Sequence, residues 1–268
     1  MREAAFAKLN LALHVRRRRE DGYHELETLF AFCEAGDVLS AVRAAADRVA
    51  MVGEFAGEVG DPFGNLVARA LTALPRSDGL AVALDKRLPV AAGLGGGSAD
   101  AGAVFRLVGQ MHGLPDDWRQ RAAKLGADVP ACVLSQPCIG RGIGTELETV
   151  SNDLAGTPAL LVNPRLILPT PEVFAGWDGE DRGGLLHGSM RTIAQWGRND
   201  LQPVAVSLRP EIATVLDALG TTEPWLARMS GSGATCFALY DSEEAMSAAS
   251  AAIGDAFPGW WRMETRLR

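Results

Sequence analysis

Apolar and polar positions alternate along residues 5–15 of the 268-residue chain. Successive side chains of an extended strand point to opposite faces. The pattern therefore predicts a strand with Lys8, Asn10 and His14 on its polar face. Residues two apart on a strand are separated by roughly 6.6 Å, so Lys8 and Asn10 could hold one ligand together. An ordinary half-exposed strand explains the same pattern equally well.

A helical period replaces this alternation after a cluster of glycines at residues 93–97. Apolar side chains recur at three- and four-residue steps over residues 101–111, which predicts an amphipathic helix. Ser98 or Asp100 is a suitable N-cap for this helix, and Gly113 is a suitable end.

The pattern of polar and apolar residues changes near residue 150, where the polar stretch SNDLAGTP is typical of a linker. Beyond it, the pattern predicts strands in ALLVNP, TCFALY and WWRMETRL and a helix in SEEAMSAASAAIG. Strands and helices that mix without regular alternation indicate an α+β protein. We therefore predict two domains, residues 1–153 and residues 154–268.

Composition and charge limit the classes of partner. A hydrophobic content of 47% with 22% charged residues is typical of a folded globular protein. The net charge of −7 argues against nucleic-acid binding, which needs a basic surface. The sequence has no apolar run of about 18 residues and no segment that resembles a signal peptide. We expect no membrane partner and a cytoplasmic location, and either a monomer or a homodimer fits the sequence.

The four cysteines show no spacing typical of metal ligands. In a cytoplasmic protein such cysteines are usually reduced thiols. We therefore expect neither disulfide bonds nor a zinc site.

The segment EDGYHELETLF contains Asp21-Gly22, a strong turn signal. Tyr23 and His24 follow the turn directly, and a histidine in such a place is more often structural than functional when taken alone. The basic run at residues 16–19 is closed by acidic residues. A solvated turn is therefore favoured over an anion-binding patch.

The glycine cluster is the strongest chemical signal in the chain. It does not match a Walker loop, because no lysine follows its glycines, and Ser98 stands where a dinucleotide-binding fingerprint needs its last glycine. A glycine-rich loop that opens into a helix still presents unpaired N–H groups and the positive end of the helix dipole. We therefore expect an oligophosphate to lie against this backbone. The Ser98 hydroxyl is suited to a phosphate oxygen or a hydrated Mg²⁺.

A second glycine-rich stretch sets Gly231 and Gly233 around Ser232, just before a strand-like segment. The signal is weak when taken alone. Together with the first cluster, it suggests a second backbone wall that closes on the same ligand.

Asp128 follows a glycine that suits a helix end and precedes Val129-Pro130, which suits a helix start. An aspartate in this position serves as an N-cap or as a catalytic carboxylate. The residues alone favour the N-cap.

Taken together, these stretches resemble the GHMP kinases, the superfamily of galactokinase, homoserine kinase, mevalonate kinase and phosphomevalonate kinase. PVAAGLGGGSADA resembles the phosphate-binding motif of the superfamily, and SGSGATCFA resembles its third motif. The segments AFAKLNLALHV, DGYHELETLF, LGADVPACV, PTPEVF and NDLQPV are similar to one branch, whose substrate is a methylerythritol that carries a cytidine diphosphate. The resemblance covers about residues 4–240. Gly102 departs from it, since alanine is usual there, at an expected cost of about 0.5–1 kcal/mol of helix stability.

This resemblance implies a two-domain fold with an N-terminal ATP-binding α/β domain, a C-terminal ferredoxin-like α+β domain and an active site in the cleft between them. It implies transfer of the γ-phosphoryl group of ATP to a tertiary hydroxyl of the substrate, a step of the non-mevalonate route to isoprenoid precursors. Mg²⁺ is expected to bridge the phosphates. Carried over by motif, Asp128 is the general base and Lys8 assists it. The Lys8 ammonium would keep the carboxylate ionised and stabilise the developing alkoxide.

The resemblance also implies residues that bind ligands. Tyr23 and Phe174 would stack on the cytosine, and His24 would hydrogen-bond to it. The substrate-binding residues are Asn10, Tyr23, His24, Thr170 and Phe174. The ATP-binding residues are Gly93, Leu94, Gly95, Gly96, Gly97, Ser98, Asn65 and Leu66, and the cleft-closing loop is Gly231, Ser232 and Gly233. Ser98 is the candidate protein contact for the metal.

Two other functions remain open at this point. One is another small-molecule kinase of the superfamily, of the homoserine or mevalonate type, and the other is a catalytically silent nucleotide-binding regulator on the same fold. The segment DGYHELET favours the cytidine-bearing substrate, because it supplies an aromatic and a histidine that smaller substrates do not require. The presence of both Lys8 and Asp128 argues against the silent regulator.

Overall fold

The computed structural model describes residues 1–60 and 65–268. The chain folds into two compact units, each made of several segments. The first unit comprises Met1–Lys8, Ala35–Val90 and Gly95–Ser135, and the second comprises Leu9–Glu34, Ala91–Leu94 and Gln136–Arg268. The chain therefore passes between the units several times, once inside the glycine-rich stretch.

Helices and strands are mixed along the chain, as predicted. The strands are β1 (Arg2–Arg18), β2 (His24–Ala44), β3 (Arg48–Val52), β4 (Gly79–Asp85), β5 (Cys138–Arg141), β6 (Glu146–Thr149), β7 (Pro158–Asn163), β8 (Leu226–Met229), β9 (Cys236–Leu239) and β10 (Trp261–Arg266). The helices are α1 (Leu66–Ala73), α2 (Gly96–His112), α3 (Trp118–Leu125), α4 (Val129–Leu134), α5 (Thr170–Ala175), α6 (Met190–Trp196), α7 (Gln202–Leu208), α8 (Glu211–Gly220) and α9 (Glu243–Ala256).

The first unit combines one end of a sheet with helices α1 to α4. The carboxyl-terminal part of β2 pairs antiparallel with β4, from Val38 opposite Asp85 to Ala44 opposite Gly79, and β4 pairs in parallel with β3. Helix α2 packs against α1 and α4. Residues 99–105 of α2 are all buried, so this part of the helix forms the centre of the unit.

Gly102 allows α2 and α4 to approach each other closely. A Cβ added at Gly102 would lie 2.6 Å from the carbonyl carbon and oxygen of Cys132, which belong to the backbone of α4. Backbone atoms cannot move aside as a flexible side chain can. The glycine is therefore needed for packing, whereas the sequence predicted only a cost in helix propensity.

We expect Gly102→Ala to destabilise the protein by about 1–3 kcal/mol, the usual cost of overpacking a core. This loss outweighs the gain of about 1 kcal/mol in helix propensity. Chemical unfolding measures it. Gly109→Ala in the same helix is the matched control, because its Cβ would meet only the side chain of Leu114, at 3.1 Å. Equal stability changes in the two variants would contradict the packing argument.

The second unit contains an antiparallel sheet in the order β10-β7-β9-β8. Helices α5 to α8 lie between β7 and β8, and α9 lies between β9 and β10. With α8 as the helix of the first connection, the order is βαββαβ, which is the ferredoxin-like arrangement. Apolar side chains of this sheet pack with α8, α9 and the middle of β1 in one core. In the same unit, β5 pairs with β2 and with β6. The predicted ferredoxin-like fold is confirmed.

Strand β1 is covered on both faces over most of its length. The alternation left open an ordinary half-exposed strand or a face that holds a ligand; the half-exposed strand is wrong, because Lys8, Asn10 and His14 on the polar face are each at most 3% exposed. Buried polar side chains need partners, so this face is a place to look for function.

The basic run at residues 16–19 forms contacts with other segments of the chain. In the second unit, Arg16 pairs with Glu27 and Asp181, and Arg18 donates to the carbonyls of Ala175 and Trp177. The prediction of a solvated turn was therefore incomplete, because two of the four arginines hold the segment that follows α5.

The four cysteines are buried free thiols. Among the residues that the structure describes, no group of three or more histidines, cysteines, aspartates or glutamates is arranged to hold a metal ion. No helix within those residues combines the length and the apolar character needed to cross a membrane.

Candidate active site

A lysine and an aspartate form an ion pair in the first compact unit. Nζ of Lys8 on β1 lies 3.1 Å from Oδ2 of Asp128. Asp128 occupies the N-cap position of α4, but its side chain makes no capping hydrogen bond. The N-cap role favoured by the residues alone is therefore wrong for the side chain, because the carboxylate pairs with the ammonium instead. The side chain of Asp128 is 35% exposed and that of Lys8 only 4%, so the carboxylate is the accessible member of the pair.

Helix α2 begins earlier than predicted. Gly95 is its N-cap, with φ of 61° in the left-handed region that favours glycine, and Gly96 is its first residue. Ser98 and Asp100 were both wrong as N-caps, since Ser98 lies within the first turn and the Asp100 carboxylate is bound elsewhere. The N–H groups of a first turn have no partner inside the helix. The amides of Gly96, Gly97 and Ser98 are therefore available to an anion, and that turn contains no acidic residue.

Two lysine side chains pack against this first turn. A Cβ added at Gly95 would lie 3.0 Å from Cε of Lys8, and one added at Gly96 would lie 3.0 Å from Nζ of Lys86. The glycines thus let both lysines approach the backbone. An anion bound to these amides would lie in the field of both ammonium groups.

Lys86 is held by two buried aspartates. It forms ion pairs with Asp37 and, at 3.0 Å, with Asp100, and each of the three side chains is at most 4% exposed. Oδ1 of Asp37 also accepts hydrogen bonds from the amides of Arg87, at 2.6 Å, and Leu88, at 2.8 Å. The cation is therefore fixed in place beside the first turn of α2.

Burial and neighbouring charges shift the pKa values of Lys86 and Asp100. Burial alone would lower the pKa of the Lys86 ammonium, but attraction to Asp100 and Asp37 outweighs burial and raises it. Burial raises the pKa of Asp100 to about 7 against the opposing effect of Lys86. Oδ1 of Asp100 is buried and has no hydrogen-bond partner within the described residues.

Asn65 and Leu66 lie at the start of α1. The side chain of Asn65 caps this helix, with its Oδ1 accepting from the amide of Ala68 at 2.9 Å. A Cβ added at Gly97 would lie 3.3 Å from Cδ1 of Leu66. The structure therefore brings Leu66 beside the glycine loop and gives Asn65 a structural role; the predicted adenine contacts of both residues stay predictions.

The two glycine stretches meet in the second unit. Gly93 has φ of 77°, and a Cβ there would lie 2.3 Å from the carbonyl oxygen of Ser230. Oγ of Ser230 donates to the Gly93 carbonyl at 2.8 Å and accepts from the amide of Asn10 at 3.2 Å. Leu94 is buried. Gly93 and Ser230 are thus in direct contact, and the predicted closing of Gly231, Ser232 and Gly233 on a ligand stays a prediction.

Asn10 is oriented by a neighbour that the sequence did not reveal. Its Nδ2 donates to Oγ1 of Thr28 at 2.7 Å, and the Thr28 hydroxyl donates onward to the carbonyl of Ala12 at 2.7 Å. A Cβ added at Gly231 would lie 3.2 Å from Oδ1 of Asn10. The amide oxygen of Asn10 therefore lies next to the second glycine stretch.

His24 and Phe174 lie together, as their predicted roles require. Their ring centroids are 5.1 Å apart, and Trp177 packs edge-on against His24 at 5.8 Å. Nε2 of His24 is buried and has no hydrogen-bond partner within the described chain. Burial and then the charge of Arg18 lower the pKa of His24, so its imidazole is neutral at neutral pH. Tyr23, one residue away, is 58% exposed.

Thr170 and Ser232 also meet in this unit. Their side-chain oxygens are 2.8 Å apart. The first residue of α5 is thereby linked to the middle of the second glycine stretch.

Thr28, Lys86 and Trp177 were missed in the sequence. Lys86 and its aspartates are separated by 14 and 49 positions, and Trp177 follows a helix whose end had not been predicted. Two positions were usable signals: Thr28 lies in the segment DGYHELETLF, and Lys86 lies shortly before the glycine cluster.

The donor set near the glycine loop fits a metal ion carried mainly by phosphates. Ser98 offers one hydroxyl in the first turn of α2, and Asp128 offers a partly exposed carboxylate. Mg²⁺ is commonly bound through substrate phosphates with few protein ligands. The residues present are therefore compatible with Mg²⁺.

Comparison with protein-family models gives two matches. The model of the GHMP kinase N-terminal domain matches residues 65–136, and the model of the GHMP kinase C-terminal domain matches residues 182–259. Together they cover more than half of the chain. The predicted boundary between residues 153 and 154 lies between them and stays a prediction.

Curated relatives match along the whole length. A 4-diphosphocytidyl-2-C-methyl-D-erythritol kinase of Novosphingobium aromaticivorans is 63% identical, over 100% of this chain and 93% of the relative. One of Erythrobacter litoralis is 62% identical, over 99% of both chains.

Solved structures agree with this result. A crystal structure of 4-(cytidine 5'-diphospho)-2C-methyl-D-erythritol kinase matches with a TM-score of 0.81 and 31% identity, over 99% of both chains. Homoserine kinase from Cytophaga hutchinsonii matches with a TM-score of 0.72 over 99% of this chain and 94% of that one, but at 18% identity it shows likeness in fold alone. The chain therefore belongs to the GHMP kinases and, within them, to the 4-diphosphocytidyl-2-C-methyl-D-erythritol kinase family.

Proposed function

We propose that this kinase transfers the γ-phosphoryl group of ATP to the 2-hydroxyl of 4-diphosphocytidyl-2-C-methyl-D-erythritol, with Asp128 as general base. The observation that carries the proposal is the Lys8–Asp128 pair. Its lysine side chain runs against Gly95, at the start of a helix whose first amides are unpaired. A base, a cation and an anion-binding backbone thus meet in one unit.

Each part of this arrangement has a physical role. Phosphoryl transfer depends mainly on positioning and on stabilising charge. The amides of Gly96, Gly97 and Ser98 bind phosphate oxygens, and the Lys8 ammonium stabilises negative charge on the attacking oxygen. The Asp128 carboxylate accepts the proton of the hydroxyl as it attacks. The Ser98 hydroxyl would hold Mg²⁺ together with the phosphates, and the ion would supply further neutralisation of the phosphate charge.

The second unit supports recognition of a cytidine diphosphate. A neutral imidazole with an unpartnered Nε2 can hydrogen-bond to the edge of a base, and Tyr23 has an exposed ring that can stack on it. Phe174, packed against His24, supplies a second aromatic surface. Asn10 and Thr170 border the second glycine stretch, which supports the proposal that they contact the remaining polar groups. The cytoplasmic location and the monomeric or homodimeric state stay predictions.

A coupled assay of ATP consumption tests the proposal. We expect consumption only with 4-diphosphocytidyl-2-C-methyl-D-erythritol and Mg²⁺, and none with homoserine or mevalonate. Equal consumption with either smaller substrate would favour another kinase of the superfamily. Tight ATP binding with no phosphorylated product from any substrate would favour a silent regulator.

Tyr23→Ala is expected to raise KM for the cytidylated substrate roughly tenfold and to leave kcat and KM for ATP nearly unchanged. Stacking of a base on an aromatic ring is worth about 1–3 kcal/mol, and the exposed ring of Tyr23 has few contacts of its own to lose. Steady-state kinetics measure the change. Trp196→Ala, which removes another exposed aromatic of the same unit, is the matched control. An unchanged KM in Tyr23→Ala would remove this residue from the binding site.

A further inference from the structure

The segment between α6 and α7 holds the second glycine stretch in place. It contains Asn199 and Asp200, and Gln202 follows as the first residue of α7; all three belong to the NDLQPV motif that the proposed reaction does not use. Asn199 is only 5% exposed. Oε1 of Gln202 accepts from the amide of Met229 at 3.0 Å, at the entrance to the glycine stretch.

Both hydrogens and the oxygen of the Asn199 side-chain amide form hydrogen bonds with the backbone. Its Nδ2 donates to the carbonyls of Met229 and Gly231, each at 2.8 Å, and its Oδ1 accepts from the amide of Leu201 at 3.0 Å. An NH₂ group has two hydrogens, and each of them has a backbone acceptor here. The reverse orientation would place an oxygen against two carbonyl oxygens, so the amide has one favourable orientation.

This contact fixes the direction of the next peptide group. The C=O and N–H of a planar trans peptide point to opposite sides. Since the Gly231 carbonyl points to Asn199, the N–H of Ser232 points away from Asn199. Gly231 itself has φ of 56°, which lets the chain make this turn.

The amide of Ser232 lacks a partner among the described residues, although Ser232 is only 6% exposed. Nearly all buried backbone N–H groups are paired, and an unpaired one costs about 1–3 kcal/mol. The Ser232 hydroxyl is already engaged with Thr170 at 2.8 Å. The unpaired N–H of Ser232 therefore indicates that a ligand binds there.

We propose that Asn199 is a positioning residue of the kinase reaction, which turns the Ser232 amide toward a phosphate oxygen. The proposal rests on the function proposed above, because that function supplies the phosphates. Two sources share this chemistry, the triphosphate of ATP and the diphosphate of the cytidylated substrate. Loss of the Asn199 amide frees the Gly231 carbonyl to rotate and removes the fixed donor.

Steady-state kinetics of Asn199→Asp test the proposal. The substitution keeps the shape of the side chain, removes both donors and sets a carboxylate against two carbonyls. We expect kcat/KM to fall at least tenfold. A rise in KM for ATP alone assigns the Ser232 amide to the triphosphate, and a rise in KM for the cytidylated substrate alone assigns it to the diphosphate. A fall in kcat with both KM values unchanged assigns it to the phosphoryl group in transfer.

Asp200→Asn is the matched control from the same segment. Asp200 accepts from the amide of Val15 on β1, at 2.8 Å, and from Arg198, and within the described residues its carboxylate forms no hydrogen bond with the glycine stretch. We expect its melting temperature to fall while kcat/KM stays within twofold of wild type. Asn199→Ser, which keeps one donor, is expected to be intermediate and serves if Asn199→Asp does not fold.

Two results would overturn the inference without touching the proposed function. One is a folded Asn199→Asp or Asn199→Ser protein with wild-type kinetics. The other is an equal loss of kcat/KM in Asp200→Asn, which would make the role of Asn199 purely structural. Failure of the proposed function is seen separately, as inactivity of the wild-type protein on the cytidylated substrate.

Discussion

Replacing Asp128 with asparagine is expected to lower kcat by a factor of about 10² or more, the usual scale for the loss of a general base. The amide keeps the size of the side chain but cannot take the proton of the attacking hydroxyl. ATP binding is expected to persist, because the unpaired amides of α2 and the lysines beside them are unchanged. Single-turnover kinetics measure the chemical step, and calorimetry with ADP measures the binding.

The matched control is Asp117→Asn in the same unit. Asp117 is exposed and pairs with Arg121 along α3, so its loss should leave kcat within about twofold of wild type. If Asp128→Asn keeps wild-type kcat, Asp128 is not the base. If Asp128→Asn instead loses ADP binding together with kcat, the ion pair with Lys8 shapes the phosphate site and does not act in proton transfer.

Replacing Lys86 with methionine is expected to destabilise the protein by about 3–5 kcal/mol. Removing one partner of a buried ion pair leaves an uncompensated charge, and here two carboxylates, Asp37 and Asp100, would face each other without the ammonium. Methionine fills nearly the same volume, so the loss reports charge and not packing. Urea unfolding at neutral pH measures it.

Two comparisons make this second prediction specific. Lys124→Met removes an exposed lysine of the same unit and is expected to change stability by less than about 0.5 kcal/mol. Adding Asp100→Asn to Lys86→Met removes one of the stranded carboxylates and should recover part of the loss. A Lys86→Met protein as stable as wild type would show that the aspartates are accommodated without the cation.

The sequence predicted the elements well where the pattern of one segment decides the structure. The alternation in residues 5–15 became β1, and the helical period after the glycines became α2. It did not predict that Lys8, Asn10 and His14 would be buried, because the cover over that face comes from residues distant in the chain.

The start of α2 shows a second limit. Preferences for N-caps favour serine and aspartate, and these preferences led to Ser98 and Asp100. In the folded protein Asp100 is committed to Lys86, and Gly95 takes the left-handed conformation at the N-cap. The buried ion pair with Lys86 therefore overrides the N-cap preference of Asp100. Because the two residues are 14 positions apart, a short stretch of sequence does not reveal this pair.

Some residues of the candidate site could be predicted from the sequence, and others could not. Lys8, Asp128 and the glycine cluster were found because their motifs are compact and resemble a known family. Asp128 shows why motif and propensity must be weighed together: it stands where an N-cap stands, yet its carboxylate is bound to Lys8. Thr28 and Asn199 lie in the segments DGYHELETLF and NDLQPV, but their hydrogen bonds join segments that are distant in the chain, and no pattern in either segment indicates those partners. Lys86 lies outside the quoted motifs.

The way the chain is shared between the units has a practical consequence for engineering. The second unit draws on residues 9–34 and 91–94 as well as on everything after residue 135. A recombinant fragment that starts at residue 136 would lack the part of β1 that supplies Leu13 and Val15 to its core. We expect such a fragment to expose apolar surface and to aggregate. If the gene is divided at this position, both fragments need to be co-expressed.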